Sequence, residues 1–519
     1  MRADGAAHSL DLQRTLRQPL IRPEDDHNHE LIERVHPQNW IPPTPAARYD
    51  LVVIGGGTAG LVSAVGAAGL GARVAIVERH LLGGDCLNFG CVPSKALIAA
   101  GRAAAAVRNA DAFGVRINGT PLVDFEHVMA RMRRLRAGIA RYDAAERLAS
   151  HGVDVFFGDA AFVAPDAIGV ADHRLRFARA VIASGGRPTV PPIPGLADVP
   201  FLTNETIFSL TVQPRRLIVI GAGPIGCEIA QTFRRLGSMV SVVSLDPRLL
   251  PRNATAASAV LHDAFEREHI ELWLGADISR VSCHDGDIEV HFSRMGQPYH
   301  VMGDALLVAT GRTPNLDTLS LAAAGVKADR DGVTVDDHLR TTNRRVYAAG
   351  DICSRFKFTH AADAMARIVL RNALFFGRKR VSRLIIPWCT YTDPEVAHVG
   401  IDEWEATLRR PAVASFTVAM ADVDRPVLNG KTEGFAQVHA DSRSGRILGA
   451  TIVSEHAGEA IAEMSLAMTA GLTLATLAKT VHPYPTQSEV WKKLADAWNR
   501  TRLTPRRQQL LKMVLRWRR

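Results

Sequence analysis

The chain has 519 residues, 47% of them hydrophobic, a formal net charge of +9 and only six cysteines. That length supplies several buried cores and excludes a small disulfide-stapled secreted scaffold. No apolar run approaches the roughly 18 residues that cross a bilayer, the first residues do not pair a charged start with an apolar core, and no nucleic-acid reading module accompanies the positive charge, so a cytoplasmic multidomain protein without a nucleic-acid partner is expected.

Residues 1–48 are polar, are punctuated by HPQNWIPPTP (His36 to Pro45) and read as an irregular arm, because prolines deny helix and ladder hydrogen bonds. Order begins with LVVIGGGTAG (Leu51 to Gly60), an apolar strand that ends in glycines and opens into a small-residue helix, followed by the strand ARVAIVE (Ala72 to Glu78). In such a βαβ unit Gly55 and Gly57 let the backbone approach a pyrophosphate, Gly60 lets the helix pack on the strand, and Glu78 is placed to accept from a ribose.

Next comes GGDCLNFGCVPSK (Gly83 to Lys95), with four residues between Cys86 and Cys91. From the residues alone three readings stand open: an inert disulfide, half of a zinc site, or a working thiol pair. Zinc would need further ligands at C-x₂₋₄-C or Cys/His spacing, which the sequence does not show.

PTVPPIPG (Pro188 to Gly195), with four prolines in eight residues, reads as a linker. A second strand, glycine turn, helix and strand follow in RLIVIGAGPIGCEIAQTFRRLGSMVSVVS (Arg216 to Ser244), with Gly221, Gly223 and Gly226 in the turn. The second strand ends at Ser244, where an acid would bind the ribose of NAD, and Asp246, Arg248 and Arg252 follow. Without that acid a 2′-phosphate is not repelled, so NADPH is favoured over NADH. After RLIIPWCTYTDPE (Arg383 to Glu395), strand-like GFAQVHA and ILGATIV precede helix-like AGEAIAEMSLAMTAG, an α+β pattern.

The motifs LGGDCLNFGCVPSKAL, the two glycine turns, ATGRTPN (Ala309 to Asn315), VYAAGDI (Val346 to Ile352), YTDPEVAHVG (Tyr391 to Gly400) and HPYPTQSE (His482 to Glu489) together resemble the class I flavoprotein pyridine nucleotide-disulfide oxidoreductases, over about residues 49–498. The resemblance implies an α/β fold with two Rossmann-like FAD- and NAD(P)-binding domains and a C-terminal α+β dimerisation domain. The implied segments are the arm, 1–48; the FAD-binding domain in two parts, 49–190 and 309–384; the NAD(P)-binding domain, 191–308; the interface domain, 385–498; and a basic amphipathic tail, 499–519.

The resemblance also implies roles. Cys91 is the flavin-proximal thiol that forms the charge-transfer complex, and Cys86 the outer interchange thiol. Lys95 and Glu228 resemble the charged pair near the reactive edge of the flavin, Asp351 the aspartate on its ribitol chain, and Thr310 and Gly311 lie on the preceding FAD strand. In disulfide reductases of the family a histidine precedes the Pro-Thr of the C-terminal motif and a glutamate supports it. Here Tyr484 holds that place and Glu489 is the matching acid, while His482 lies two positions earlier. A phenol titrates near pH 10 and is a poor proton shuttle at pH 7.

Tyr484 and Pro224 resemble mercuric reductases, which pass Hg(II) through a second cysteine pair near the C-terminus; no cysteine follows Cys389 in this sequence. The expected protein is a homodimer that uses FAD and NADPH or NADH to reduce a small thiol, disulfide or metal-ion substrate. A dihydrolipoyl dehydrogenase-like disulfide reductase, with His482 as base, is the rival; a membrane-associated quinone-reducing or redox-sensing flavoprotein is the alternative of another class. In the tail, Leu510, Met513, Val514 and Trp517 recur at helical spacing among basic residues. Such a segment can make weak contact with an anionic membrane surface, although packing on its own protein is the preferred expectation.

Overall fold

The computed structural model describes residues 21–119 and 121–519; the first twenty residues of the arm lie outside the described residues. The chain divides into two compact units. One comprises residues up to Leu245 together with Ile270–Leu384, and the other Asp246–His269 with Ile385–Arg519.

In the first unit the arm contains a helix, α1 (Asp26–Val35), where an irregular segment was expected. The sequence specifies it locally: the Asp25 side chain accepts from the Asn28 amide at 2.8 Å and caps the first turn, and the prolines come only after the helix has ended. Then follow β1 (Tyr49–Ile54), α2 (Thr58–Gly69), β2 (Val74–Glu78), the short α3 (Gly84–Asn88), α4 (Cys91–Arg108), α5 (Phe125–Ala140), β3 (Val153–Phe157) and the long β4 (His173–Ile182). Strands β3, β2, β1 and β4 lie side by side in parallel, and β5 (Val346–Ala348) joins β4 at its other edge. Near-continuous apolar sequence in β1 and β2 matches strands covered on both faces.

The second glycine turn lies in a separate parallel sheet of β6 (Arg216–Ile220), β7 (Met239–Ser244), β8 (Glu271–Leu274) and β9 (Ala305–Val308), ordered β8-β7-β6-β9, with α6 (Pro224–Leu236) following β6. Helix α7 (Thr359–Leu374) packs closely on α2: a side-chain carbon at Gly66 would stand 2.6 Å from Leu370 Cδ1. Residues of Asp277–Gly303 add a three-stranded antiparallel sheet.

The second unit is built on a five-stranded antiparallel sheet from β10 (Trp388–Thr390), β11 (Glu395–Gly400), β12 (Val413–Ala419), β13 (Phe435–Asp441) and β14 (Ile447–Ser454). Helices α8 (Ala457–Thr469) and α9 (Glu489–Thr501) close its core, with Trp491 and Trp498 buried. The last helix, α10 (Pro505–Trp517), buries no residue. The expectation that the tail packs on its own protein is thereby corrected: six large apolar side chains from Leu510 to Trp517 stay in solvent, so no core among the described residues receives them.

Candidate active site

The first glycine turn is closed tightly. Gly60 admits no side chain, because a Cβ there would stand 1.8 Å from the Gly55 carbonyl oxygen, and Gly55 itself has φ of 102°. Glu78, at the end of β2, is buried and accepts from the Gly56 amide at 2.6 Å and the His80 amide at 2.7 Å. Burial pushes its carboxyl above the usual range, and those two amides oppose the shift. Gly57 faces Gly84 of the cysteine loop: a Cβ on Gly84 would come 2.6 Å from the Gly57 Cα. The turn, the bare N-terminus of α2 with no acid in its first turn, and the glycine-lined gap beside it fit an FAD pyrophosphate.

The second turn repeats the geometry, with a Cβ on Gly226 placed 2.0 Å from the Gly221 oxygen and open space beside Gly223. Ser244 is buried at the end of β7. Arg248 donates to the Pro251 carbonyl at 2.8 Å and to the Thr255 hydroxyl, whereas Arg252 is exposed.

Cys86 sits in α3, half-buried, and Cys91 is the exposed first residue of α4; both are free thiols. The Cys91 thiol is lowered to about 6, first by a hydrogen bond from the Cys86 thiol, then by the positive Lys95, which together outweigh the loss of solvation. Thr359, at the start of α7, lies 3.6 Å from Cys91 Sγ and adds to the effect. The same hydrogen bond, followed by desolvation, pushes Cys86 up. The hydrogen bond and Lys95 thus favour the charge on Cys91 and the proton on Cys86.

Lys95 lies one turn along α4 from Cys91, and its ammonium meets the carboxylate of Glu228, on α6, at 2.8 Å. The structure thus brings together Cys86 of α3, Cys91 and Lys95 in the first half of α4, and Glu228 of α6.

Behind the cysteines lies Arg312, which pattern reading did not single out. Arg312 is buried between Asp85, at 3.2 Å, and Asp351, at 3.4 Å. Asp85 also accepts from Asn204 at 3.0 Å. Glu205 is raised to about 7 by burial first and by Asp85 second. Desolvation raises Asp351 as well, against the pull of Arg312 and Lys357. Arg312 stood in the quoted ATGRTPN motif, but only the fold shows which carboxylates it joins. Thr310 and Gly311 lie in the bend between β9 and the short strand Arg312–Pro314, which corrects their expected position on a strand of the FAD sheet. Gly311 has φ of 130°, a turn conformation, and the Thr310 hydroxyl donates to the Thr189 carbonyl at 3.0 Å.

The arm is wired to the cysteine loop. The Leu82 amide donates to the Val35 carbonyl at 3.1 Å, and the His36 ring bonds the His80 carbonyl. Arg136 of α5, only 2% exposed, donates to Asn28 Oδ1 at 2.6 Å and to the Asn88 carbonyl, at the end of α3, at 2.8 Å. Asn88 in turn donates to the Leu82 and Gly84 carbonyls. No motif announces these residues, since each is an ordinary polar side chain until the arm folds against α5.

In the second unit the C-terminal motif is less enclosed. Tyr484 is 71% exposed and its hydroxyl donates to Asp424 at 2.7 Å, a bond that raises the phenol further. His482 bonds Glu463 through Nε2 at 2.9 Å, while its buried Nδ1 has no partner. Glu489 opens α9, and its Oε2 is likewise buried without a hydrogen bond.

Residues 49–366 match the pyridine nucleotide-disulphide oxidoreductase model, and residues 386–495 match the dimerisation domain of the same family. The chain is 34% identical over 443 residues to a mercuric reductase of Bacillus cereus, covering 85% of this chain and 70% of that protein. It is 32% identical over 458 residues to a dihydrolipoyl dehydrogenase of Chlamydia muridarum, covering 86% and 96% respectively. Among solved structures, the HOCl-induced flavoprotein disulfide reductase RclA from Escherichia coli superposes with a TM-score of 0.78 at 27% identity, covering 86% of this chain and 99% of that one.

Proposed function

This chain belongs to the pyridine nucleotide-disulphide oxidoreductases, FAD-dependent enzymes that use pyridine nucleotides, and from that premise we propose that it reduces a thiophilic substrate at Cys86 and Cys91, with Hg(II) or a similarly soft metal ion as the substrate class. The observation that supports this best is the setting of the pair: Cys86 and Cys91 on adjoining helices, with Lys95 one turn along from Cys91 and ion-paired with Glu228.

The residues Gly55, Gly57, Gly60, Glu78 and Asp351 would hold FAD, and Gly221, Gly223 and Gly226 a nicotinamide dinucleotide, NADPH rather than NADH because Ser244 stands where the acid for a free ribose would be. The chemistry FAD supplies when bound is passage of an electron pair between nicotinamide and disulfide. Opening the disulfide takes two electrons and one proton at neutral pH, leaving the proton on Cys86 and the charge on Cys91. Lys95 stabilises that charge and Glu228 fixes the ammonium. Binding Hg(II) through both sulfurs would release the Cys86 proton to solvent; when the metal leaves as Hg(0) with two electrons, the disulfide re-forms.

Tyr484 does not take up protons in this scheme, because its phenol is raised and already donates to Asp424. A second reading, reduction of a small disulfide, is favoured by one observation: His482 is held by Glu463 with a free buried nitrogen, the arrangement of an oriented base. Anaerobic NADPH oxidation with thiol-buffered Hg(II), following release of elemental mercury, separates the two. Sustained release supports the metal reading. Stalling by Hg(II), with turnover on a disulfide that is lost in His482→Ala, replaces it with the second. The partner subunit follows from the matched dimerisation domain, and we propose a homodimer.

A further inference from the structure

Helix α10 is an addition to the matched dimerisation domain, which ends at residue 495. Its start is written into the sequence: Pro505 occupies the first turn and Thr504 Oγ1 accepts from the Arg507 amide at 3.4 Å. Arg502 stacks over the Trp498 ring at 4.6 Å, and Arg507 donates back to the Arg502 carbonyl at 3.0 Å, so the turn leading into the helix is held within its own unit.

Residues 501–519 carry seven basic side chains and no acidic one. Leu510, Met513, Val514 and Trp517 follow the i, i+3, i+4, i+7 spacing of one helical face, Leu511 and Leu515 widen it, and Lys512 and Arg516 lie on the other side, with Arg518 and Arg519 following the helix. All six apolar side chains are exposed, Trp517 by 88%. A wide apolar face with a tryptophan, cations on the opposite side and flanks, and no compensating acid is the composition that seats a helix in the interface of an anionic bilayer. No helix among the described residues is long and apolar enough to cross a membrane, so the contact would be a surface one.

We propose that α10 binds the surface of anionic phospholipid membranes and holds the enzyme there, with the apolar face inserted at the headgroup boundary and the basic side chains on the lipid phosphates. A nucleic acid or a second copy of the chain would use the same helix differently: the first would need the cations but not the apolar face, and the second would change the oligomeric state.

The test is sedimentation of the full-length holoenzyme with vesicles of phosphatidylcholine alone and with about one third phosphatidylserine. Co-sedimentation is expected only with the anionic vesicles, weakening as salt is added and falling by about fivefold for each cation neutralised in Lys512→Gln and Arg516→Gln. The double variant Leu510→Ser, Trp517→Ser should lower it at least about tenfold, with NADPH oxidation and oligomeric state unchanged, since these side chains are exposed and outside the candidate site. Absence of vesicle binding overturns the proposal. So does binding that is indifferent to the apolar double variant, which would mark a simple polycation, or a change of oligomeric state in that variant, which would mark a contact between chains.

Discussion

The cysteine loop and the C-terminal motif are organised in opposite ways. Around Cys86 and Cys91, segments far apart in sequence converge on buried hydrogen bonds: the arm through Val35, His36 and Asn28, helix α5 through Arg136, and the Arg312 group through Asp85. The HPYPTQSE motif instead exposes Tyr484 and leaves a nitrogen of His482 and an oxygen of Glu489 buried without partners. Buried polar atoms without partners carry a cost, and the loop keeps three of its own, Asn88 Oδ1, Arg136 Nε and Arg312 Nε. The difference lies in convergence: distant segments meet at the loop, whereas the motif leaves its tyrosine in solvent.

The largest effect that could break this comparison falls on the loop. Cys91→Ser should lower NADPH-driven reduction of any acceptor at the pair by roughly three orders of magnitude or more, while reduction of the bound flavin by NADPH persists. Retained acceptor turnover would place the chemistry elsewhere. Next comes the brace. Arg136→Ala removes two charge-assisted bonds and leaves the Asn28 and Asn88 oxygens buried, so urea unfolding should show a loss of about 2–4 kcal/mol, against about 1–2 kcal/mol for Asn28→Ala. Equal, negligible losses would mean that the arm does not support the loop.

A third prediction concerns pH. Because Cys91 is depressed to about 6, its thiolate is present above that value and is lost as pH falls through it. The ultraviolet thiolate signal of the reduced protein should follow that curve, and Cys86→Ala, by deleting the largest cause, should move the midpoint upward. An unmoved midpoint would assign the depression to Lys95 and the helix N-terminus instead. The smallest effect is expected at Tyr484, whose exposed hydroxyl makes one bond: Tyr484→Phe should change disulfide turnover by no more than about threefold. A hundredfold loss would show that the motif is more finished within one protomer than its geometry suggests.

Much of the fold was legible because periodicity and punctuation are local. The glycines of both turns, the apolar β1 and β2 and the break before β10 mark their own positions. The resemblance that singled out the cysteine pair was legible too, since its spacing sits inside a long motif. What the sequence hid was pairing across distance. Nothing in Arg136, Asn28 or Asn88 distinguishes them from solvated residues, and Arg312 shows its carboxylate partners only when Asp85 and Asp351 are brought from 227 positions upstream and 39 downstream of it. The arm was misread as irregular because its prolines outweighed the Asp25 cap, and Thr359 could not be seen beside Cys91 because 268 residues separate them.

The most direct test of the central claim is differential alkylation of Cys86 and Cys91 in the holoenzyme, read by mass spectrometry before and after anaerobic addition of one equivalent of NADPH. The account predicts that both cysteines are protected as a disulfide before addition and become modifiable after it, with Cys227, Cys283, Cys353 and Cys389 unchanged. If the two cysteines react equally with and without NADPH, the electron pair never reaches them and the proposed chemistry is wrong.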